Sequence, residues 1–357
     1  MNPILSLLRR PWQTAATRAA EATAAFVSPV HVVDPEAHVR LDDGLLVIER
    51  PSQPPVRLRL PDVLSVSVHG RAAITTPAVQ ALLAEGIPLI WRSQSGYYLG
   101  QTLDLSGQTA RARRLQYAAQ GTPLALDLAR RLVAAKLNNM HALLRRRAPE
   151  SQRARTAAAA LAQAAPGVAR ADTLETLRGI EGAASAAYFA CWPYLLKGNA
   201  AAFGFTGRQR RPPVGPVNAL LSYSYAVLAG HCGTAAAGAG LDPAEGFLHV
   251  ARAGRPSLAL DLLEPFRPAV ADSAALFTLN TGEIGLADFT AADGGTRLTE
   301  SGRKKALGAL ERRLDEAFAD TGQPRVTYRA AIDRLAHSAV DALAAQSAER
   351  LVVPERP

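Results

Sequence analysis

From His38 the chain alternates apolar and polar residues in short runs: HVRL, a DDG turn, then LLVIE, the pattern of a half-buried hairpin with Gly44 at its turn. Extended segments follow at VRLRL, VLSVSVH, PLIWR and YYLGQTL. TPAVQALLAEG reads as one helix, with Pro77 near its start and Gly86 past its end. Beyond Gly107 the alternation gives way to helical periodicity. In TPLALDLARRLVAAKLNNMHALLRRR the apolar residues Val133, Leu137, Met140 and Leu144 fall on one face, with Thr122 and Pro123 as cap and first-turn residue. The tract TAAAALAQAA continues the helical character. LETLRGIEGAASAAYFACW follows, opened by a capping-box-like Asp172 and Glu175. PVNALLSYSYAVLAG opens at Pro216, and SLALDLLEPF takes Ser257 as its cap. GEIGLADFTAADGG reads as a short hairpin. Helices return at LTESGRKKALGALERRLDEAFA and from Thr327 to about Arg350.

The expected fold class is therefore α+β: a small N-terminal β-rich domain over residues 35–106, then a larger all-α C-terminal domain over 107–357. Residues 1–34 read as a basic, Ala-rich extension or linker, with a mitochondrial-type address as the alternative; the apolar run ILSLL is too short for a secretory signal. The chain has no apolar run of about eighteen residues or more, so no membrane partner is expected. At 357 residues it can build two cores. Cys191 and Cys232 are too few for a disulfide framework or a Cys-rich zinc site. They favour a reducing compartment, and the expected location is the cytoplasm.

Charge changes the picture. The chain carries a net charge of +9, and the surplus is concentrated: between Arg111 and Arg155 eleven Lys or Arg face only two acids, Asp127 and Glu150. Such clustering suits a polyanion, although a solvated helix face with no partner would look the same.

Against that background stands EGFLHVARAGRPSLALDLLEPFRP. His249 is followed twelve residues later by Asp261 and three further on by Glu264. On a helix the two carboxylates share one face, and a turn at Ala253, Gly254, Arg255 and Pro256 brings the histidine back over them. Glu181, in RGIEGAA, has Gly182 beside it, which removes side-chain bulk where something is to approach closely. Carboxylates with one imidazole and no thiolate suit a magnesium or manganese ion with open coordination positions. A plainer reading stays open: Asp261 and Glu264 pair with Arg267 or Arg255, Glu181 pairs with Arg178, and His249 is a satisfied buried histidine.

The segments KLNNMHALLRR (136–146), LRGIEGAASAAYF (177–189), GRQRRPPVGPVNALLSYSYAVL (207–228) and GFLHVARAGRPSLALDLLEPFRP (246–268), in that order, resemble the CRISPR-associated spacer-acquisition integrase family, the universal DNA-inserting nuclease of CRISPR adaptation. The hairpin from His38 and RARRLQY (111–117) extend the likeness to most of residues 37 to about 350; the ends and the stretch 269–299 match loosely. The resemblance implies an N-terminal β domain, a C-terminal α-helical domain and a divalent metal ion, Mg2+ or Mn2+. It implies Glu181, His249 and Glu264 as metal ligands, with Asp261 beside them as a ligand or neighbour in the catalytic set. The implied reaction is metal-dependent transesterification, in which the 3′-hydroxyl of a short DNA fragment attacks a phosphodiester at a repeat edge. Its implied partners are double-stranded and branched DNA, a second copy in a homodimer, and the small ferredoxin-like CRISPR adaptation nuclease. DNA phosphates are expected on Arg111, Arg113 and Arg114, on Arg208, Arg210 and Arg211, and on Lys304 and Lys305. Tyr188, seven residues after Glu181, is expected either near the reacting DNA or in the core. The competing functions are a stand-alone mobile-element integrase or branched-DNA nuclease with the same site, and a non-catalytic DNA-binding scaffold.

Overall fold

Asp43 and Gly44 both take positive φ, 48° and 74°, as a tight hairpin turn between twisted strands requires. They join β2 (His38–Asp42) to β3 (Leu45–Arg50) in the computed structural model, which describes residues 28–51, 53–102, 107–292, 294–320 and 323–354. The chain divides into two compact units, Met1–Thr109 and Ala110–Pro357.

In the first unit, β4 (Gln53–Arg59) adds to β3 antiparallel, and β6 (Ala73–Ile74) adds to β2 parallel, which gives a sheet of order β4-β3-β2-β6. A second sheet, of order β1-β5-β7-β8, is built from β1 (Ser28–Val32), β5 (Val63–His69), β7 (Leu89–Arg92) and β8 (Tyr98–Gln101). Residues 28–32, which the sequence reading places in the extension, thus form a strand parallel to β5. The alternation there is short and interrupted by Pro29, so its pairing partner, and not its own pattern, makes it a strand. Residues 1–27 of that extension lie outside the described residues. Helix α1 (Thr76–Ala84) is capped by the Thr75 hydroxyl, which accepts from the Ala78 N–H. Its Ala78 and Leu82 pack on Val39, Leu46, Val66 and Leu89.

The second unit is mostly helical: α2 (Gly107–Ala118), α3 (Pro123–Arg147), α4 (Gln152–Arg170), α5 (Leu174–Ala190), α6 (Pro216–Gly238), α7 (Ser257–Leu263), α8 (Ser273–Thr281), α9 (Glu300–Asp315) and α10 (Tyr328–Ala345). A π-helical segment, Arg267–Asp272, leads into α8. It is not all-α: hairpin β9–β10 (Phe289–Ala292, Gly295–Leu298) begins within the stretch GEIGLADFTAADGG read as a short hairpin, and a second, β11–β12 (Ala317–Asp320, Gln323–Thr327), is unexpected. The second hairpin replaces the tail of the helix expected through LDEAFA, where Phe318 stacks on Tyr328 with ring centroids 4.3 Å apart.

Val133, Leu137, Met140 and Leu144 of α3 are all buried, and α6 is buried on nearly every face, as the central element of a helical core is. Two caps differ from expectation. Thr173, not Asp172, caps α5, because its hydroxyl accepts from the Thr176 N–H. Ser257 lies inside α7 and donates to the Val250 carbonyl. Among the described residues no helix is long and apolar enough to cross a membrane.

One buried carboxylate ties three of these elements. Asp272 accepts the hydroxyl hydrogens of Tyr188 in α5 (2.9 Å) and Tyr225 in α6 (2.5 Å). Burial pushes its carboxyl up from 3.8 to about 6, against the two hydroxyls and Arg267, which favour the ionised form. A folded-state value above the unfolded one means that the folded chain holds more protons in between, so stability falls as pH rises from about 4 to about 6. We expect Asp272→Asn to remove up to roughly 3 kcal/mol of this pH-dependent loss. The check is the difference in urea unfolding free energy between wild type and variant, followed from pH 4 to 6; a difference that stays flat contradicts the assignment.

Candidate active site

Asp261 has no exposed surface. Its oxygens accept the backbone N–H groups of Phe247 (2.6 Å), Leu248 (2.8 Å) and His249 (3.0 Å), and Nδ1 of His249 lies 2.6 Å away. These bonds fold residues 246–249 down onto α7. An ionised carboxylate only accepts, so His249 donates from Nδ1 and turns Nε2 the other way. Close approach here requires glycine at 246: a Cβ at that position would meet Asp261 Oδ2 and the His249 carbonyl oxygen at 2.7 Å each. Arg178 in α5 donates to the Leu248 carbonyl at 2.9 and 2.6 Å and fixes the same segment from the other side.

Glu264, just past α7, is 3% exposed. Arg267 Nε lies 3.0 Å from its Oε1, and Lys136 Nζ, from the middle of α3, lies 2.6 Å from its Oε2. The same ammonium is paired with Glu181 of α5, whose Oε1 also accepts from Ser185 one turn along (2.7 Å). Burial alone would push the Glu264 carboxyl up, but Arg267, Lys136 and His249 outweigh it and hold the group down at about 2. Glu181 follows the same logic: burial raises it, Lys136 more than compensates, and the group stays below the usual carboxylate range. Both carboxylates are therefore charged at neutral pH.

The structure thus brings Glu181 and Glu264 to one ammonium, and it sets His249 Nε2 4.0 Å from Glu264 Oε1. Among the described residues, the donor atoms of Glu181, His249 and Glu264 do not all lie within 4.8 Å of one another. Asp261 stands behind the histidine. Two carboxylates around a point where a cation already sits, with an imidazole nitrogen 4.0 Å from one of them, are donor types that suit a magnesium or manganese ion. Of the plain pairings, the Arg267–Glu264 contact is present. Arg178 goes to a backbone carbonyl instead of Glu181, and Asp261 pairs with the histidine instead of an arginine.

Several residues here have no role assigned from the sequence. Lys136 lies in the apolar register of α3 and is 3% exposed. A lysine in a buried stripe needs a partner, and that is the sequence signal for it. Asn139 donates to the Pro265 and Pro354 carbonyls at 2.9 Å each and fixes α3 against the segment after Glu264. Gly246 and Ser185 give no signal apart from the fold. A Cβ at Gly182 would meet nothing within 4 Å, so the space beside it is open and none of the described residues requires the glycine.

The expected phosphate contacts divide. Arg111 and Arg114 on α2 are exposed and Arg113 is half-buried; Arg210 and Arg211, in the loop before α6, are exposed. Arg208 turns inward: it donates to Asn218 Oδ1 (2.9 Å), Ser222 Oγ (2.9 Å) and the Gln209 carbonyl (2.6 Å), so it shapes that loop instead of presenting its guanidinium. Lys304 pairs with Glu300 (2.6 Å), and Lys305 with Asp288 (2.7 Å). Tyr188 is fully buried, with its hydroxyl spent on Asp272, so the expectation that places it near DNA is corrected to the core one.

A family model described as CRISPR associated protein Cas1 matches residues 30–312. The chain is 40% identical over 296 residues to a CRISPR-associated exonuclease Cas4/endonuclease Cas1 fusion of Geobacter sulfurreducens, covering 81% of this chain and 53% of that one. It is 38% identical over 294 residues to a CRISPR-associated endonuclease Cas1 of Thermus thermophilus, covering 81% and 86%. The chain thus spans about half the length of the fusion relative. Among solved structures, a casposase bound to integration product superposes with a TM-score of 0.76 at 20% identity, covering 90% of this chain and 92% of that one, which shows a shared fold.

The two glycines make a paired test of the packing described above. We expect Gly246→Ala to lower stability by about 1–3 kcal/mol, because neighbours that are themselves fixed by Asp261 must shift. Gly182→Ala should raise it by roughly 0.5–1 kcal/mol, because a helix interior gains from alanine where space is free. Urea unfolding of both variants checks this; equal effects of the same sign would contradict it.

Proposed function

The chain belongs to the CRISPR-associated Cas1 family, and from that premise we propose that it inserts short DNA fragments (spacers) into a CRISPR array by metal-dependent phosphodiester transesterification. The observation that carries this reading is the convergence of Glu181 and Glu264 on a single cation, with the His249 imidazole, held by Asp261, turned toward Glu264. Glu181, Glu264 and His249 would hold a magnesium or manganese ion. When bound, such an ion polarises the phosphodiester and offsets the negative charge that builds on the pentacovalent phosphorus.

The chain's own groups do the positioning. Asp261 would accept the Nδ1 hydrogen and so present Nε2 as the ligand atom. Arg267 holds Glu264 from its other oxygen, and Ser185 orients Glu181. In the reaction a fragment's 3′-oxygen forms a bond to phosphorus as the bond from that phosphorus to the target strand's 3′-oxygen breaks. The departing oxygen takes up a proton, and the attacking hydroxyl gives one up. One DNA ester replaces another, so no nucleotide cofactor is needed, and nicking of branched DNA would use the same site with water as nucleophile.

Exposed Arg111, Arg114, Arg210 and Arg211 would carry phosphate contacts on double-stranded and branched DNA. A homodimer and the small ferredoxin-like adaptation nuclease would complete the integration complex. The mobile-element integrase reading has the casposase-like fold in its favour, but that likeness stands at 20% identity, against 38–40% to the CRISPR-associated endonucleases. The intact donor set supports catalysis over a scaffold role.

The test is strand joining of a short duplex with 3′-hydroxyl ends into supercoiled plasmid, with manganese, with magnesium and with neither. We expect metal-dependent joining by the wild type that falls to background in Glu181→Ala and His249→Ala. A folded wild type that joins nothing, even with the small partner present, would move the assignment to a DNA-binding scaffold.

A further inference from the structure

Lys136 occupies the place where the two carboxylates of the site meet. Its ammonium touches Glu181 and lies 2.6 Å from Glu264 Oε2, although 96% of its side chain is removed from solvent. Buried carboxylates side by side repel, and each makes the other harder to ionise. A cation between them removes that repulsion, so a chain without a metal needs one there. Lysine differs from arginine in what it commits: a compact charge on a flexible four-carbon stem, with no fixed fork.

Two further details set Lys136 apart from Arg267, the other cation on Glu264. Arg267 is held independently, with its guanidinium 4.5 Å from the centre of the Tyr225 ring. Among the described residues, Lys136 pairs with the two carboxylates, both of them members of the donor set. The ammonium lies 2.6 Å from Glu264 Oε2, within hydrogen-bond reach, and its charge helps to keep Glu264 ionised. The backbone beneath is fixed, since Asn139, one turn along α3, is bonded to the Pro265 carbonyl, next in sequence to Glu264. Motion of Lys136 therefore needs only its side chain.

We propose that Lys136 is an exchangeable counter-ion, holding Glu181 and Glu264 together in the metal-free chain and giving way when a divalent cation binds, so that it sets the cation affinity of the site. The proposal rests on the metal-site reading above. Charge arithmetic favours exchange over simple addition. Glu181, Glu264 and Asp261 contribute −3, and Lys136 and Arg267 contribute +2, which leaves −1 before the imidazole is counted. A divalent cation added with the ammonium in place would leave +1 in a buried space. With the ammonium moved out to solvent the cluster is neutral.

The experiment uses Lys136→Met, which keeps the length of the side chain without its charge, and Lys136→Gln as a second variant that keeps polarity. Manganese alone is the probe, with free ion counted by electron paramagnetic resonance, and thermal unfolding is followed with and without it. We expect both variants to unfold at lower temperature than the wild type without metal. We expect them to bind manganese at least about tenfold more tightly, the scale of one partly buried charge contact, and to gain more thermal stability from it. Manganese affinity in the folded variants that is unchanged or weaker, while Glu181→Gln abolishes binding in the wild-type background, overturns the exchange and leaves the metal site standing. No Glu181-dependent binding in any of these proteins overturns both.

Discussion

The carboxylate of Glu264 lies almost wholly out of water, and an unpaired charge in that position would cost several kcal/mol. Much of the second unit is arranged around meeting that cost. Lys136 comes from α3, Arg267 from the π-helical segment, and His249 from a loop that is itself folded by Asp261. Each cation is placed by packing or bonds elsewhere: Lys136 by a buried helix locked through Asn139, Arg267 by the face of Tyr225. A binding site for a doubly charged ion needs anionic donors held close together before the ion arrives, and this arrangement supplies them.

The same packing reaches the basic loop before α6. Tyr225 has Arg267 4.5 Å and Arg208 5.5 Å from its ring centre, and its hydroxyl is bonded to Asp272. Arg208 in turn holds Asn218, which accepts the Gln209 N–H and donates to the Gly207 and Val214 carbonyls. The loop that exposes Arg210 and Arg211 and the arginine that steadies Glu264 thus share one aromatic ring. A charged polymer lying on the loop and chemistry at Glu264 would be registered to each other through that ring.

Much of this is legible in the sequence. Period-two runs mark the strands from His38 to Gln101, and the stripe Val133, Leu137, Met140 and Leu144 marks the buried face of α3. The order β-rich then mostly helical follows from where one pattern replaces the other. Strand β1 is not legible, because five residues with a proline have no pattern of their own, and pairing with β5 decides them. Hairpin β11–β12 is hidden for a similar reason. At the site, spacing brings out His249, Asp261 and Glu264, Gly182 draws attention to Glu181, and the family likeness joins Glu181, His249 and Glu264 as a ligand set. Lys136 goes unassigned because it reads as one more basic residue in a basic stretch, although its register on the apolar face sets it apart. Arg208 is misplaced, and Tyr188 is left open between DNA and core, because sequence gives residue type and face but not which side chains are spent on neighbours.

The central claim is that the point between Glu181, Glu264 and His249 receives a divalent cation. Anomalous scattering from crystals of the protein grown with manganese tests it most directly. The account predicts one strong peak within bonding distance of Glu181, Glu264 and His249 Nε2, with Lys136 moved away from the two carboxylates. No peak there, with the ammonium still between Glu181 and Glu264 at saturating manganese, would contradict it and leave the cluster as a structural ion-pair network.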